Sequence, residues 1–495
     1  VNFRAFDDGR LISIIVVTFG LLAGGCATGG DSALRQAGPG AEQIGNLIVN
    51  GVPPIPDELN QRLQQYQSTR AAAVRGWVED KLLVTTRFGD TSQLHLVAAP
   101  LGTREQVTFF AEPVTQAYPP PSREDGFVFA RDIGGSEFYQ LFWYDWGSAR
   151  STMLTDGKSR YSSVVWDHAG EHFAYTTTER NGRNWDIHIS DHTGSSRVAL
   201  TTEAGAWSAE DWSVEDGKLL VARYVSINES YVYELDIDSG RLQPLLDESL
   251  KVAIGMALYS DDGKGVYFTS DLGAEFMRLH YKDLASGKVT VLTADIPWNI
   301  EEFAIAPDGR HLALSANEDG ESHLAIWRLP DHSPLALAEI PAGVIANLAF
   351  SGDGDSLAFS LNRPNAPSDA YSVDVSTREL TRWTRSEVGG LNTAEFTVPE
   401  LISYPTFDRV RGAARQIPAY LYKPSGPGPH PVVISIHGGP EGQYRPRFSS
   451  TIQYMVNELG VAVIAPNVRG SAGYGKSYLK LDNGVLREDS VKDIG

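Results

Sequence analysis

A two-residue turn recurs along this chain at nearly constant spacing, and it constrains the fold more than any other feature. Asp125-Gly126, Ala169-Gly170, Asp216-Gly217, Asp262-Gly263, Asp308-Gly309 and Asp353-Gly354 are separated, glycine to glycine, by 44, 47, 46, 46 and 45 residues. Each turn is followed by a short apolar run, beginning at Phe127, His172, Leu219, Val266, Leu312 and Leu357. Glu79-Asp80 ahead of Leu82 supplies a seventh copy without the glycine. An Asp-Gly pair between β-rich runs closes a hairpin, because glycine accepts the positive φ that the turn requires. A second turn follows in several copies, as at Asp238-Ser239-Gly240 and Ala285-Ser286-Gly287. Four strands in about 45 residues, repeated, define a β-propeller. Helix-pair solenoids share the period, but these runs alternate with period two and lack helical caps. The expectation is an all-β, seven-bladed propeller over residues 76–390.

Composition bears mainly on what lies around that ring. A net charge of −20 excludes a nucleic-acid partner, since binding phosphates needs a basic surface. The single cysteine, Cys26, excludes an internal disulfide. It ends the only long apolar run, Leu11 to Ala23, which follows Arg4 and Arg10 and is too short for a comfortable membrane span. Small residues Ala23, Gly24 and Gly25 lead into it, the pattern of an export signal whose cysteine is lipidated. Asp7, Asp8 and Ala23 depart from that pattern. The expectation is a signal over residues 1–26, an exported protein, and contact with a membrane only through lipid on Cys26. Residues 27–75 read as a tether carrying a short amphipathic helix from Asp57 to Arg70, with Leu59, Leu63 and Tyr66 on one face.

Past Gly390 the hairpin repeat stops, and residues 391–495 read differently. Leu401 to Phe407 and Ile417 to Tyr422 suit a strand pair. Val432 to Ile436 and Val461 to Ala465 are continuous apolar runs, the pattern of strands buried on both faces, with a helix-like stretch from Ser449 to Leu459 between them. Buried strand, helix, buried strand begins a parallel α/β sheet. A glycine-bearing loop follows each strand: His437-Gly438-Gly439-Pro440 after the first, and Asn467 to Ser477 after the second. Glycine lets the main chain approach a developing negative charge. His437 itself suits turn packing better than proton transfer.

His-Gly-Gly-Pro, followed after a strand-length interval by Asn467, Arg469, Gly470, Ser471, Gly473, Tyr474 and Gly475, resembles the prolyl oligopeptidase superfamily, in particular its acylaminoacyl-peptidase-like branch. The segment Arg487 to Ile494 is similar to the family's approach to the nucleophile. The resemblance implies a propeller joined to an α/β-hydrolase domain, acyl-enzyme chemistry on short peptides, and a Gly439 N–H in the oxyanion hole. It also implies that the propeller gates access. His437, Gly438, Pro440, Asn467, Arg469, Gly470 and Tyr474 then frame the site structurally.

A nucleophile elbow needs Gly-x-Ser-x-Gly, and no serine here has it. Ser471 comes nearest, but Arg469 stands where the first glycine belongs. The hydrolase half is therefore expected to be incomplete, its Ser, Asp and His lying beyond Gly495, the chain inactive alone and its sheet edge exposed. Two alternatives stay open: an α/β-hydrolase esterase, and a non-catalytic envelope propeller. A Gly-x-Ser-x-Gly about 45 residues further on would favour the peptidase. The paired glutamates with which dipeptidyl peptidases grip a substrate amine are not evident in the propeller sequence. The 11 histidines lack ligand spacing and no phosphate loop is present, so no metal or cofactor is expected.

Overall fold

The computed structural model describes residues 47–439 and 441–495, with strand segments Val16–Thr18 and Ala41–Ile44 before them. Cys26, most of Leu11 to Ala23, and Pro440 lie outside the described residues. Seven four-stranded antiparallel sheets follow one another along the chain, at residues 72–106, 116–153, 161–200, 206–244, 254–291, 299–335 and 344–382. In each, the strands lie in chain order, and the first strand packs beside the first strand of the next sheet. That of the seventh packs beside that of the first, so the first strands surround a common axis in a propeller-like ring. The ring begins at Ala72, inside the stretch read as tether. Ala72 and Val74 are fully buried in the seam between the first and last sheets, which extends the strand back from Gly76.

The recurrent turns join the first two strands of the sheets. Gly170, Gly263, Gly309 and Gly354 have φ of +67°, +67°, +67° and +76°, each closing a turn onto the carbonyl three residues earlier. Two copies depart from the reading. Asp216, not Gly217, takes the positive φ, at +53°. Gly126 is a strand residue paired with Asp145, and it is small because the Trp143 ring lies over it. In the copy without glycine, Glu79 takes φ +54°. The polar loop from Arg131 to Gln140 is a hydrogen-bonded turn: Glu112 accepts from Arg131 and from Gly134 N–H, at 2.9 and 3.0 Å.

Apolar residues interleave between neighbouring sheets instead of filling one centre. Phe127, Phe129 and Leu83 join the first two sheets, Trp212, Leu219 and Ile187 the third and fourth, and Leu82, Val84, Ala358 and Trp383 close the ring. Indole N–H groups stitch three of these junctions: Trp77, Trp166 and Trp212 donate to the carbonyls of Ala349, Tyr118 and Val165, at 2.9, 2.9 and 3.0 Å. Carboxylates do the same elsewhere. Asp211 accepts the Tyr259 N–H at 2.7 Å, and Glu302 accepts from Asn347 and Leu348 at 3.0 and 2.7 Å.

Burial pushes the Asp211 pKa up to about 7, against the hydrogen bond from Tyr259. A carboxyl that holds its proton more tightly folded than unfolded adds stability fully present below its unfolded pKa. That contribution is lost as pH rises through 7. Urea unfolding between pH 5 and 8 should therefore show the chain weakening as pH rises. Asp211→Asn, which keeps the acceptor, should weaken less; equal slopes would refute this role for Asp211.

After the ring, strands Glu400–Val410 and Ala413–Tyr422 form an antiparallel hairpin. Ala413–Tyr422 pairs antiparallel with Ala462–Pro466, which pairs in parallel with Val432–Ile436, and Val16–Thr18 runs parallel to the far edge of that strand. Helix α2 (Ser450–Asn457) connects the parallel pair, its N-terminus capped by the Ser449 hydroxyl, which accepts the Ile452 N–H. Ile452 and Val456 pack on Tyr420, Tyr422, Val463 and Ala465. Ala462–Pro466 is buried as expected, but Val432–Ile436 is not. Val432 is 51% exposed and the next four residues are half-buried, because α2 covers one face of that strand while the other stays partly open.

Helix α1 (Asp57–Gln67) is packed, not loose. Tyr66 sits among Val388, Phe396 and Tyr454, and its hydroxyl donates to Glu458 at 2.7 Å, where Arg62 also pairs. Among the described residues no helix is long and apolar enough to cross a membrane.

Candidate active site

The two glycine loops leave the ends of neighbouring parallel strands and meet. His437 ends up 2.9 Å, Nε2 to Oγ, from Ser471. The Ala472 N–H donates to the Gly442 carbonyl at 3.1 Å. Ser471 is fully buried, and its hydroxyl donates to the Val468 carbonyl at 2.6 Å. His437 Nδ1 lies 3.0 Å from the Gly438 carbonyl, and neither ring nitrogen faces a carboxylate. Burial lowers the imidazole pKa, against the contact with the Gly438 carbonyl. A serine without access and a histidine without an orienting acid tie two loops together. They are not a nucleophile and its base.

Glycines at 439 and 442 are required sterically. Gly439 has φ +133°, and a Cβ there would come within 2.4 Å of Gly442 N. One at Gly442 would meet the Gly438 carbonyl at 2.4 Å. Gly438 and Gly439 thus pack tightly against Glu441 and Gly442. Gly439 is exposed, and among the described residues nothing accepts its N–H. An open main-chain N–H is chemically suited to hold an oxygen anion. A cavity of 340 Å³ is lined by His437, Gln443, Tyr444, Arg447, Phe448 and Ile452, among others.

The remaining motif residues act from below. Asn467 is fully buried; its Oδ1 accepts the Tyr444 N–H at 2.6 Å, and its Nδ2 donates to the Tyr444 carbonyl and Tyr474 hydroxyl, both at 3.1 Å. Burial raises the Tyr474 pKa to about 12, and the ring reaches Trp298, just ahead of the sixth sheet, edge-on. Arg469 grips Asp493 through Nε at 2.8 Å and Nη2 at 2.6 Å, and Asp408 at 2.9 Å, while Phe407 lies under its guanidinium. The hydrogen bonds to Asp493 hold the Arg469 pKa above its ordinary value. Burial works to raise Asp408, but Arg469 and Arg415 outweigh it and hold that carboxyl below the usual range. Gly470, at φ +90°, leaves room for the buried Asp482 carboxylate, whose pKa burial raises.

Residues without a sequence pattern complete the setting. The fifth, sixth and seventh sheets hold the C-terminal sheet by polar contacts. Glu275 accepts from the Ser477 N–H and hydroxyl at 2.9 and 2.8 Å, and Lys476 pairs with Asp271 at 2.7 Å. Arg445 reaches Glu301, the Gly320 carbonyl and Ser322, and the Tyr420 hydroxyl donates to the Asp319 carbonyl at 2.6 Å. Among the described residues, no hydrogen bond crosses to it from the first four sheets.

Comparison with known proteins agrees with this architecture. Residues 115–386 match the family model for the prolyl oligopeptidase N-terminal beta-propeller domain. Dipeptidyl aminopeptidase BIII of Pseudoxanthomonas mexicana is 25% identical over 389 residues, covering 73% of this chain and 53% of that protein. The acylamino-acid-releasing enzyme of Rattus norvegicus is 24% identical over 366 residues, covering 58% of this chain and 48% of the enzyme. The chain thus spans about half the length of these curated relatives. A prolyl endopeptidase structure superposes with a TM-score of 0.76 at 16% identity, over 89% of this chain and 67% of its own. A puromycin hydrolase structure does so with a TM-score of 0.72 at 19% identity, over 89% and 72%. With more than half its length matched by the propeller model and the same fold in solved peptidases, the chain belongs to the prolyl oligopeptidase family.

Proposed function

We propose that the seven sheets are propeller blades shielding a serine peptidase centre, and that residues 391–495 are the first part of the α/β-hydrolase half carrying it. One observation carries the reading: two glycine loops from adjacent parallel strands meet at His437, Gly442, Ser471 and Ala472, leaving the Gly439 N–H open. In acyl transfer that N–H would bind the oxyanion, a donor worth about 3 kcal/mol to the transition state. The attacking serine, its histidine and its aspartate would come from the length of the relatives that this chain does not span. The substrates proposed are short peptides. The names of two relatives, a dipeptidyl aminopeptidase and an acylamino-acid-releasing enzyme, support cleavage near a peptide's amino end. The ring would keep large folded proteins out and admit only short peptides. Export, with lipid on Cys26, belongs to the same proposal and is supported by the run from Leu11 to Ala23.

Fluorogenic dipeptide and acylaminoacyl substrates test this. The 495-residue chain should turn over none of them, and Ser471→Ala should change nothing. The gene product extended past Gly495 should cleave them and be blocked by a serine-directed phosphonate. Turnover by the shorter chain that Ser471→Ala abolishes would overturn the assignment, as would an inert extended product.

A further inference from the structure

The turn that presents Gly439 is followed by two residues held from the propeller, Arg445 and, through Asn317, Gln443. Asn317, in the second strand of the sixth sheet, is 1% exposed and uses every hydrogen-bonding atom. Its Oδ1 accepts the Gly320 N–H at 2.9 Å. Its Nδ2 donates to Glu301 at 2.6 Å and to Gln443 Oε1, across the domain boundary, at 2.7 Å. Glu301 in turn pairs with Arg445, two residues beyond Gln443. The other side of the Gln443 amide lies against Gly473, where a Cβ would come within 2.5 Å of Nε2. Gln443 is therefore a wedge between the sixth sheet and the second glycine loop. Gly442, next in the chain, is packed against the Gly438 carbonyl and His437 with no space for a methyl group. A shift of the Gln443 backbone would be carried through Gly442 to the turn at Gly438 and Gly439.

From this chain of contacts we propose that Asn317 is a positioning residue for the oxyanion-binding turn, so that seating the propeller on the C-terminal sheet sets the direction of the Gly439 N–H. The role assigned to Gly439 rests on the function proposed above; the mechanical coupling does not. Its consequence is that the ring does more than restrict entry. When the sixth sheet lifts away, the turn loses its outer support, and transition-state stabilisation falls even though every atom of the turn is still present.

Two amides report whether the turn is seated: Tyr444 N–H, which donates to Asn467 Oδ1, and Ala472 N–H, which donates to Gly442 O. In hydrogen exchange on the 495-residue chain, Asn317→Ala should speed exchange at both by at least about tenfold and leave Val463 and Ile464 unchanged. Asn317→Asp, which keeps the acceptor for Gly320 but loses both donors, should do the same if the alanine variant folds poorly. Gln443→Ala should match Asn317→Ala, and the double variant should add little further. Glu275→Ala, which loosens the same boundary elsewhere, should leave the two amides protected. Unchanged exchange in the Asn317 variants, or equal loosening by Glu275→Ala, would overturn the proposal. In the extended, active gene product, Asn317→Ala should lower kcat about tenfold or more with KM little changed, and should weaken a peptide boronate more than a product peptide. A loss confined to KM would also refute it. Absence of any peptidase activity would refute the proposed function and leave the exchange result to decide the coupling.

Discussion

Arg469→Leu is expected to destabilise the C-terminal sheet by about 3–5 kcal/mol, the usual cost of removing one partner from a buried ion pair. Arg469 is 3% exposed and Asp493 is 1% exposed, so without the guanidinium the carboxylate is stranded away from water. Thr406 and the Arg469 N–H still reach it, at 2.7 and 2.9 Å, but neither carries charge. The loss should spread, because Asp493 also accepts, through its carbonyl, the Tyr404 hydroxyl at 2.8 Å, and so anchors the hairpin at residues 400–422. Tryptophan fluorescence would report mainly on the ring, because the 10 tryptophans run from Trp77 to Trp383. Hydrogen exchange in Ala413–Tyr422 and Ala462–Pro466 reads the sheet directly. Arg469→Leu with Asp493→Asn should restore much of the protection, since removing both charges removes the stranded one. If the single variant behaves like the native chain, Arg469 is not what holds the second loop in place.

The ring was legible because its information is periodic: one turn chemistry, repeated every forty-odd residues, places four strands per copy without any long-range knowledge. The two loops were legible for a different reason. Gly439, Gly470 and Gly473 sit where a Cβ would collide with Gly442, Asp482 and Gln443 respectively, so they leave glycines at fixed spacing in the sequence. What holds those loops was not legible. Asn317 lies 126 residues from Gln443, and Glu275 lies 202 from Ser477. Each is a lone polar residue in a strand end or turn, chemically like dozens of solvated ones. Only the angle at which the sheet meets the ring selects it. The exposure of Val432–Ile436 was hidden similarly, because an apolar run records what a strand tolerates and not which neighbours cover it.

Gly126 separates two reasons for the same residue, and substituting it should tell them apart. At Gly170 the turn demands positive φ, and the space around a Cβ is tight but yielding, the nearest atom being the flexible Arg123 side chain at 3.3 Å. Gly170→Ala should cost about 1 kcal/mol, the penalty of the left-handed conformation for a residue with a side chain. Gly126 needs no such conformation. A Cβ there would lie 2.1 Å from the Tyr144 carbonyl oxygen and 2.3 Å from the Trp143 ring. The carbonyl belongs to a paired strand, and Trp143 is 5% exposed, packed with Tyr161, Val164 and Phe173 between the second and third sheets. Neither yields cheaply, so Gly126→Ala should cost about 3 kcal/mol, at the upper end of overpacking penalties. Urea unfolding followed by tryptophan emission reads both variants, because the affected ring is itself a reporter. Gly126→Ala should also shift the native spectrum, whereas Gly170→Ala should leave it unaltered. Equal costs with unshifted spectra would mean that the first copy of the turn is held by backbone angle after all.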